Sequence, residues 1–111
     1  NTTVFRNDFT AKQAKVLYIT SDCLLGGAGN GHYHNYAELY ITLRGKVQFL
    51  FEDMATKERT MHNATETGRV IVPKNMPHAA KARRGTVLMG FTEQIFTSGE
   101  ADEKAYPLSW N

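Results

Sequence analysis

Apolar and polar positions alternate with a period of two along much of this chain, the spacing of side chains on the two faces of a strand. From Tyr36 to Leu43, Tyr36, Glu38, Tyr40 and Thr42 share one face, while Leu39, Ile41 and Leu43 share the other. Val16 to Thr20 is rich in β-branched and aromatic residues and predicts a strand, which the glycine-rich stretch Gly26 to Gly31 interrupts. Arg44-Gly45 reads as a turn into Lys46 to Phe51, where Val47, Phe49 and Phe51 oppose Leu50. Glu52 to Lys57 is polar and predicts a hairpin loop, with Glu58 to Met61 as the returning strand. Val70 to Val72 is a short buried strand stopped by Pro73, and Thr86 to Phe91 is another that runs on toward Phe96. Short strands separated by turn residues predict an all-β sandwich or barrel. No internal repeat is visible, so the pattern predicts one module.

Histidines add chemistry to that frame. His32 and His34 stand at i and i+2, on one face of an extended chain, and Glu38 keeps the same parity. A helix would set i and i+2 nearly opposite each other, so the spacing belongs to strands. With His78 these residues offer three imidazoles and a carboxylate, donors that suit manganese, iron, cobalt, nickel or zinc. Tyr40 continues the Glu38 face deeper, where it either orients and protonates a ligand oxygen or packs the barrel with its hydroxyl satisfied. Tyr36 is a pocket candidate on the same face, unless Asn35 and Ala37 mark an irregular strand that changes the parity. His62, beside a polar loop, reads as a surface histidine and not as a further ligand.

The stretch Gly26-x5-His32-x-His34-x3-Glu38-x6-Gly45 resembles the first signature motif of the cupin family at every fixed position. The second, Gly68-x4-Pro73-x4-His78, resembles the family's other motif more loosely over residues 68–82. There Gly68 stands one residue closer to Pro73, Asn75 replaces a glycine and Ala82 replaces a terminal asparagine. Asparagine tolerates the left-handed backbone that such a turn asks for. The resemblance implies a small jelly-roll β-barrel over residues 1–111 as a single cupin domain. It further implies one divalent metal ion held by His32, His34, Glu38 and His78; with Tyr40 aimed into the same cavity by strand alternation, Tyr40 and Glu38 are the candidate catalytic residues. Sheet-to-sheet association of cupins gives Leu39, Ile41 and Leu43 a destination, and a homodimer is expected. Val4 to Phe9 and Tyr106 to Trp110 are apolar enough to cover an edge or to swap across that dimer.

A metal with open positions would act as a Lewis acid toward a substrate with neighbouring oxygens. The expected function is therefore isomerisation, epimerisation or elimination on a small oxygenated molecule such as a sugar or hydroxy acid. An iron-dependent dioxygenase and a non-catalytic ligand-binding or sensing module are the alternatives. Cupin thiol dioxygenases use three histidines without the carboxylate, so Glu38 speaks against that branch. Val16 to Ile19, leading into the glycine-rich turn and His-x-His, bears a fainter likeness to small cupin sugar-nucleotide isomerases, which implies catalytic histidines in place of a metal.

Composition narrows the partners. A chain of 111 residues, 41% hydrophobic and 22% charged, is ordinary for one globular core. A net charge of +2 is too small to argue for nucleic acid, and no apolar run approaches a membrane span. Cys23 alone excludes an internal disulfide, fits a reducing cytoplasm and reads as a small buried hydrophobe. Lys81, Arg83 and Arg84 form the one basic cluster, read as a solvated turn or, as the minor alternative, as a guide for an anionic substrate toward the barrel mouth.

Overall fold

The computed structural model describes residues 11–25, 30–93 and 103–110. Among the described residues ten strands follow in chain order: β1 (Gln13–Tyr18), β2 (Cys23–Leu25), β3 (His32–Tyr33), β4 (Glu38–Arg44), β5 (Val47–Glu52), β6 (Arg59–Ala64), β7 (Arg69–Val72), β8 (His78–Ala82), β9 (Val87–Thr92) and β10 (Lys104–Ala105). One sheet has the order β1-β9-β4-β7, and the other runs β10-β3-β8-β5-β6 with β2 also paired to β8. Every ladder is antiparallel. The expected all-β jelly roll is what forms. Among the described residues no helix is long and apolar enough to cross a membrane.

Alternation decides which residues meet between the sheets. Val47, Phe49 and Phe51 of β5, Ala80 and Ala82 of β8, Val70 and Val72 of β7 and Leu88 of β9 form the main core. Phe49 is almost fully enclosed, and burial of one such side chain stabilises the fold by about 1.5–3 kcal/mol. β8 was not anticipated: its sequence His-Ala-Ala-Lys-Ala has poor strand propensity. It sits between β5 and the short β2 and β3, and Ala79, Ala80 and Ala82 are buried there. The tertiary setting overrides propensity.

Two turns carry the motif glycine and its substitute. Gly45 has φ +89, and a Cβ there would lie 2.5 Å from Thr86 Oγ1, so both backbone and space favour glycine. Asn75 takes φ +62, as its place in the second motif predicts, and its backbone N–H donates to the His34 carbonyl at 2.6 Å. That bond ties the second motif to the first.

The tail does not project outward. Leu108 is buried against Leu50 and Ala79 on the outer face of the six-stranded sheet, with Tyr106 and Trp110 packed alongside. The expected edge cover forms, since Tyr106 and Leu108 donate backbone N–H groups to Gly31 and Asn30 along the β3 edge, and the tail then straps across the chain's own sheet; Val4 to Phe9 lie outside the described residues. Lys81 points to the same outer face, its ammonium 4.7 Å from the Trp110 ring centroid. This is the reverse of the barrel interior, so Lys81 does not face into the barrel. Cys23 is a half-buried thiol packed on the core, and His62 is exposed on β6, both as expected.

Candidate functional site

The site forms where the chain passes from one sheet to the other. His32 lies on β3 of the six-stranded sheet and Glu38 opens β4 of the four-stranded sheet, while His34 to Ala37 bridge them without strand structure. The expectation of a continuous strand from Tyr36 is therefore corrected. A bend at Asn35 and Tyr36, and not unbroken alternation, leads from His34 to Glu38. Tyr36 stacks on the His34 ring, with centroids 4.1 Å apart and planes 9° from parallel, and does not line the cavity. His78 arrives from β8, directly opposite His32 in the ladder.

The three histidines converge. Each offers a ring nitrogen, and these lie within 4.8 Å of one another. His32 Nε2 and His78 Nε2 are 3.1 Å apart. Glu38 Oε1 stands 3.2 Å from His34 Nε2 and 3.7 Å from His78 Nε2. His34 Nδ1–H donates to the Tyr36 carbonyl and His78 Nδ1–H to the Met76 carbonyl, each at 2.8 Å. A ring whose Nδ1 is held this way presents Nε2 to the centre, the outer-shell arrangement that orients metal-ligating histidines. Two nitrogens bound to one zinc-like ion stand roughly 2.9–3.4 Å apart, given metal–nitrogen bonds of about 2.0–2.1 Å. The donor set fits a divalent ion. Without one, facing lone pairs at 3.1 Å require a proton between them.

Burial and neighbouring charge set the protonation states. Burial disfavours a charged His34, yet the hydrogen bond and negative charge of Glu38 outweigh it and raise the imidazole above its ordinary 6.5. Burial likewise opposes the Glu38 carboxylate, but His34 and then His78 hold it below its ordinary value. Desolvation lowers His78 to about 4, so that ring is neutral near pH 7. His32 is also lowered, chiefly by burial, against the opposing charge of Glu103. Burial, then the charge of Glu38, raises Tyr40 well above 10 and keeps its hydroxyl protonated.

These residues open onto a cavity of about 240 Å³, lined by His32, His78, Glu38 and Tyr40 among others. Its size suits one sugar ring better than a whole nucleotide. Tyr40 reaches it by lying flat across the neighbouring strand, where a Cβ on Gly90 would come within 2.8 Å of Tyr40 Cε1. Its ring also packs at 5.6 Å from that of Phe49. Tyr40 thus packs the barrel and lines the cavity as well.

Two lining residues escaped the sequence reading. Lys15 sits on the Gly90–Tyr40 rung of the four-stranded sheet and lines the cavity. Its signal was present, as a lysine sharing parity with the core-facing Leu17. Glu103 lines the same cavity and brings Oε1 within 3.3 Å of His32 Nδ1. Nothing local marks it, because its position depends on the pairing of Ala105 with His32.

Solved structures share this architecture. The capsular polysaccharide assembling protein CapF from Staphylococcus aureus superposes with a TM-score of 0.74 at 16% identity, covering 86% of this chain and 26% of that one. WlaRA, a TDP-fucose-3,4-ketoisomerase from Campylobacter jejuni, gives 0.72 at 17% identity, covering 91% and 75%. The dTDP-4-dehydrorhamnose 3,5-epimerase from Bacillus anthracis gives 0.69 at 16%, covering 92% and 61%. The chain thus spans about a quarter of CapF and most of WlaRA, and at such identities the likeness is one of fold. It is the cupin jelly roll. No curated protein matches the sequence. The family described as "FdtA: WxcM-like, C-terminal" matches residues 3–107, nearly the whole described barrel, and the chain belongs to that family.

Proposed function

We propose that this chain, as a single cupin module, moves a proton on a carbon beside the ketone of a nucleotide-linked sugar, as a ketoisomerase or an epimerase. The observation that carries this reading is the cavity lined both by His32 and His78 and by Tyr40, whose hydroxyl stays protonated. Structural relatives named as a TDP-fucose-3,4-ketoisomerase and a dTDP-4-dehydrorhamnose 3,5-epimerase support the substrate class. Lys15, at the cavity wall, suits the negative charge of a diphosphate leaving the mouth.

In this reading substrate enters between the His32 and His78 rings, and His32, neutral with its proton on Nδ1 toward Glu103, takes at Nε2 the proton from the carbon next to the carbonyl. The electron pair moves onto the carbonyl oxygen, Tyr40 supplies that oxygen with a proton, and an enediol results. Return of the proton from His32 to the former carbonyl carbon, with loss of the proton from the other hydroxyl, exchanges ketone and alcohol; return of a proton to the opposite face of the first carbon, with the hydroxyl proton going back to Tyr40, inverts it. Glu38 holds both the Tyr40 hydroxyl and His34 in place. A divalent ion also fits His32, His34 and His78 with Glu38 at its side, and would supply Lewis-acid polarisation of a substrate oxygen. The nitrogens that would hold it include the one read as the base, so the two occupants exclude each other at His32.

The outer face of the four-stranded sheet supports the homodimer. Val16, Tyr18 and Leu43 are exposed there, on the same face as Ile41, Met89 and Phe91. Incubation with TDP-linked keto-hexoses in D2O, followed by proton NMR, tests the reaction. Loss of the signal beside the ketone is expected, and it persists after chelation if the histidines act without metal. Absence of exchange with every keto-sugar, alongside oxygen uptake in the presence of iron, would favour the dioxygenase.

A further inference from the structure

The tail residues Glu103 to Trp110 cross the outside of the six-stranded sheet, yet their first residue lines the cavity inside. β10 is only two residues long, too short to hold its register alone. What fastens it lies elsewhere. Tyr106 Oη–H donates to Glu52 Oε2 at 2.7 Å, and Arg59 Nε donates to Glu52 Oε1 at 2.8 Å. Arg59 Nη1 also donates to the Ser109 carbonyl at 2.6 Å, and Lys57 Nζ lies 3.3 Å from the Tyr106 hydroxyl. Glu52 is buried beneath the strap, and the bonds from Tyr106 and Arg59 hold its carboxyl below the ordinary range. The backbone joins in: Tyr106 N–H donates to Gly31 O at 3.0 Å and Leu108 N–H to Asn30 O at 2.7 Å. Gly31 permits this approach, because a Cβ there would collide with the Tyr106 carbonyl oxygen.

The inner end of the strap meets an otherwise orphaned atom. His32 Nδ1 is buried and has no aligned hydrogen bond, whereas His34 and His78 each anchor Nδ1 on a carbonyl. Glu103 Oε1, at 3.3 Å, is the polar group that faces it. We infer that the strap Glu103–Trp110 sets the orientation of His32, and that Tyr106, Glu52 and Arg59 are positioning residues acting through Glu103. The clasp closes on the outside of the sheet and its effect is felt inside.

The inference rests on the proposed proton transfer for its kinetic arm only, and a spectroscopic arm is independent of it. In nitrogen-15 spectra of the histidine rings, Glu103→Gln should move the His32 signals most, with smaller shifts at His78, across their 3.1 Å contact, and at His34. Tyr106→Phe, which keeps the ring and removes only the hydroxyl, should move the same His32 signals in the same sense. In the exchange assay each single variant should lose about tenfold in turnover with KM within twofold, since small misplacements of a reacting group cost rate before binding. The double variant should fall no further than Glu103→Gln alone, because both changes act through one contact. Unmoved His32 signals in Tyr106→Phe, or multiplied losses in the double variant, would overturn the clasp. Unmoved signals in Glu103→Gln would overturn the role of Glu103. Signals that shift as described in a protein without turnover would leave the strap standing and remove the proposed reaction instead.

Discussion

The cavity has two walls that are built by different means. On the histidine wall, the rings of His34 and His78 are fixed by backbone carbonyls at 2.8 Å. On the facing wall of the four-stranded sheet, Tyr40 is fixed by packing: its ring fills the space that Gly90 leaves open and rests near Phe49. Hydrogen bonds to the backbone specify which nitrogen faces inward, which matters for imidazoles with two unlike nitrogens. Packing specifies only where a ring lies, which suffices for a single hydroxyl. Glu38 belongs to both walls, starting β4 while bonding His34 of the crossing segment.

The walls should fail separately. His34→Ala removes the ring tied to both the Tyr36 carbonyl and Glu38, and should lower divalent-metal affinity at least about 10²-fold, since losing a mere outer-shell partner already costs about 10–100-fold. Circular dichroism should still show a folded β protein, because the barrel is built on apolar strands. Titration with zinc or manganese by calorimetry reads the affinity, and wild-type affinity in the variant would remove His34 from the ligand set. Tyr40→Phe breaks the other wall: turnover in the exchange assay should fall about 10²-fold, the scale for a positioned acid–base group, with metal content and melting temperature unchanged.

Acid should weaken the histidine wall in metal-free protein. Folded His78 stays neutral down to about 4, whereas the unfolded imidazole protonates near 6.5, so stability falls by about 3 kcal/mol between those values. Protonation of Glu38, held below its ordinary value, extends the loss to lower pH. His34 acts oppositely: its raised value gives stability that is present below 6.5 and fades as pH rises through the folded value. Urea midpoints from pH 4 to 8 should show the acid limb, and His78→Gln should flatten it. The smallest expected change is Gly90→Ala, which overpacks the Tyr40 ring at a cost of about 1–3 kcal/mol in urea unfolding. Paired with Tyr40→Leu, whose side chain lacks the ring, it should cost less than in the wild type; an equal cost would show that Tyr40 is not held by Gly90.

The histidine wall was far more legible in the sequence than the wall opposite or the strap. His32, His34, Glu38 and His78 follow a motif whose spacing is short-range, and the structure brings the three imidazoles together with Glu38 beside them. The route differed from expectation, since a bend at Asn35 and Tyr36 replaces strand parity. Tyr40 could be placed by alternation from Glu38, but its dependence on Gly90 could not, because β9 lies beside β4 only by tertiary pairing. β8 was hidden by alanines that suit a crowded central strand and no propensity scale. Glu103 had no local signal at all: a two-residue strand far along the chain delivers it.

The crossing segment between β3 and β4 has one more consequence. Because His32 and His78 belong to one sheet while Glu38 belongs to the other, any guest that contacts all of them fastens the two sheets together. Such a guest binds the folded chain alone, so its occupancy adds directly to resistance against heat, by about 2.7 kcal/mol at a hundred times its dissociation constant. Melting temperature then becomes a reporter of what the cavity accepts, and metals, nucleotides and keto-sugars can be ranked by thermal shift before any turnover is known.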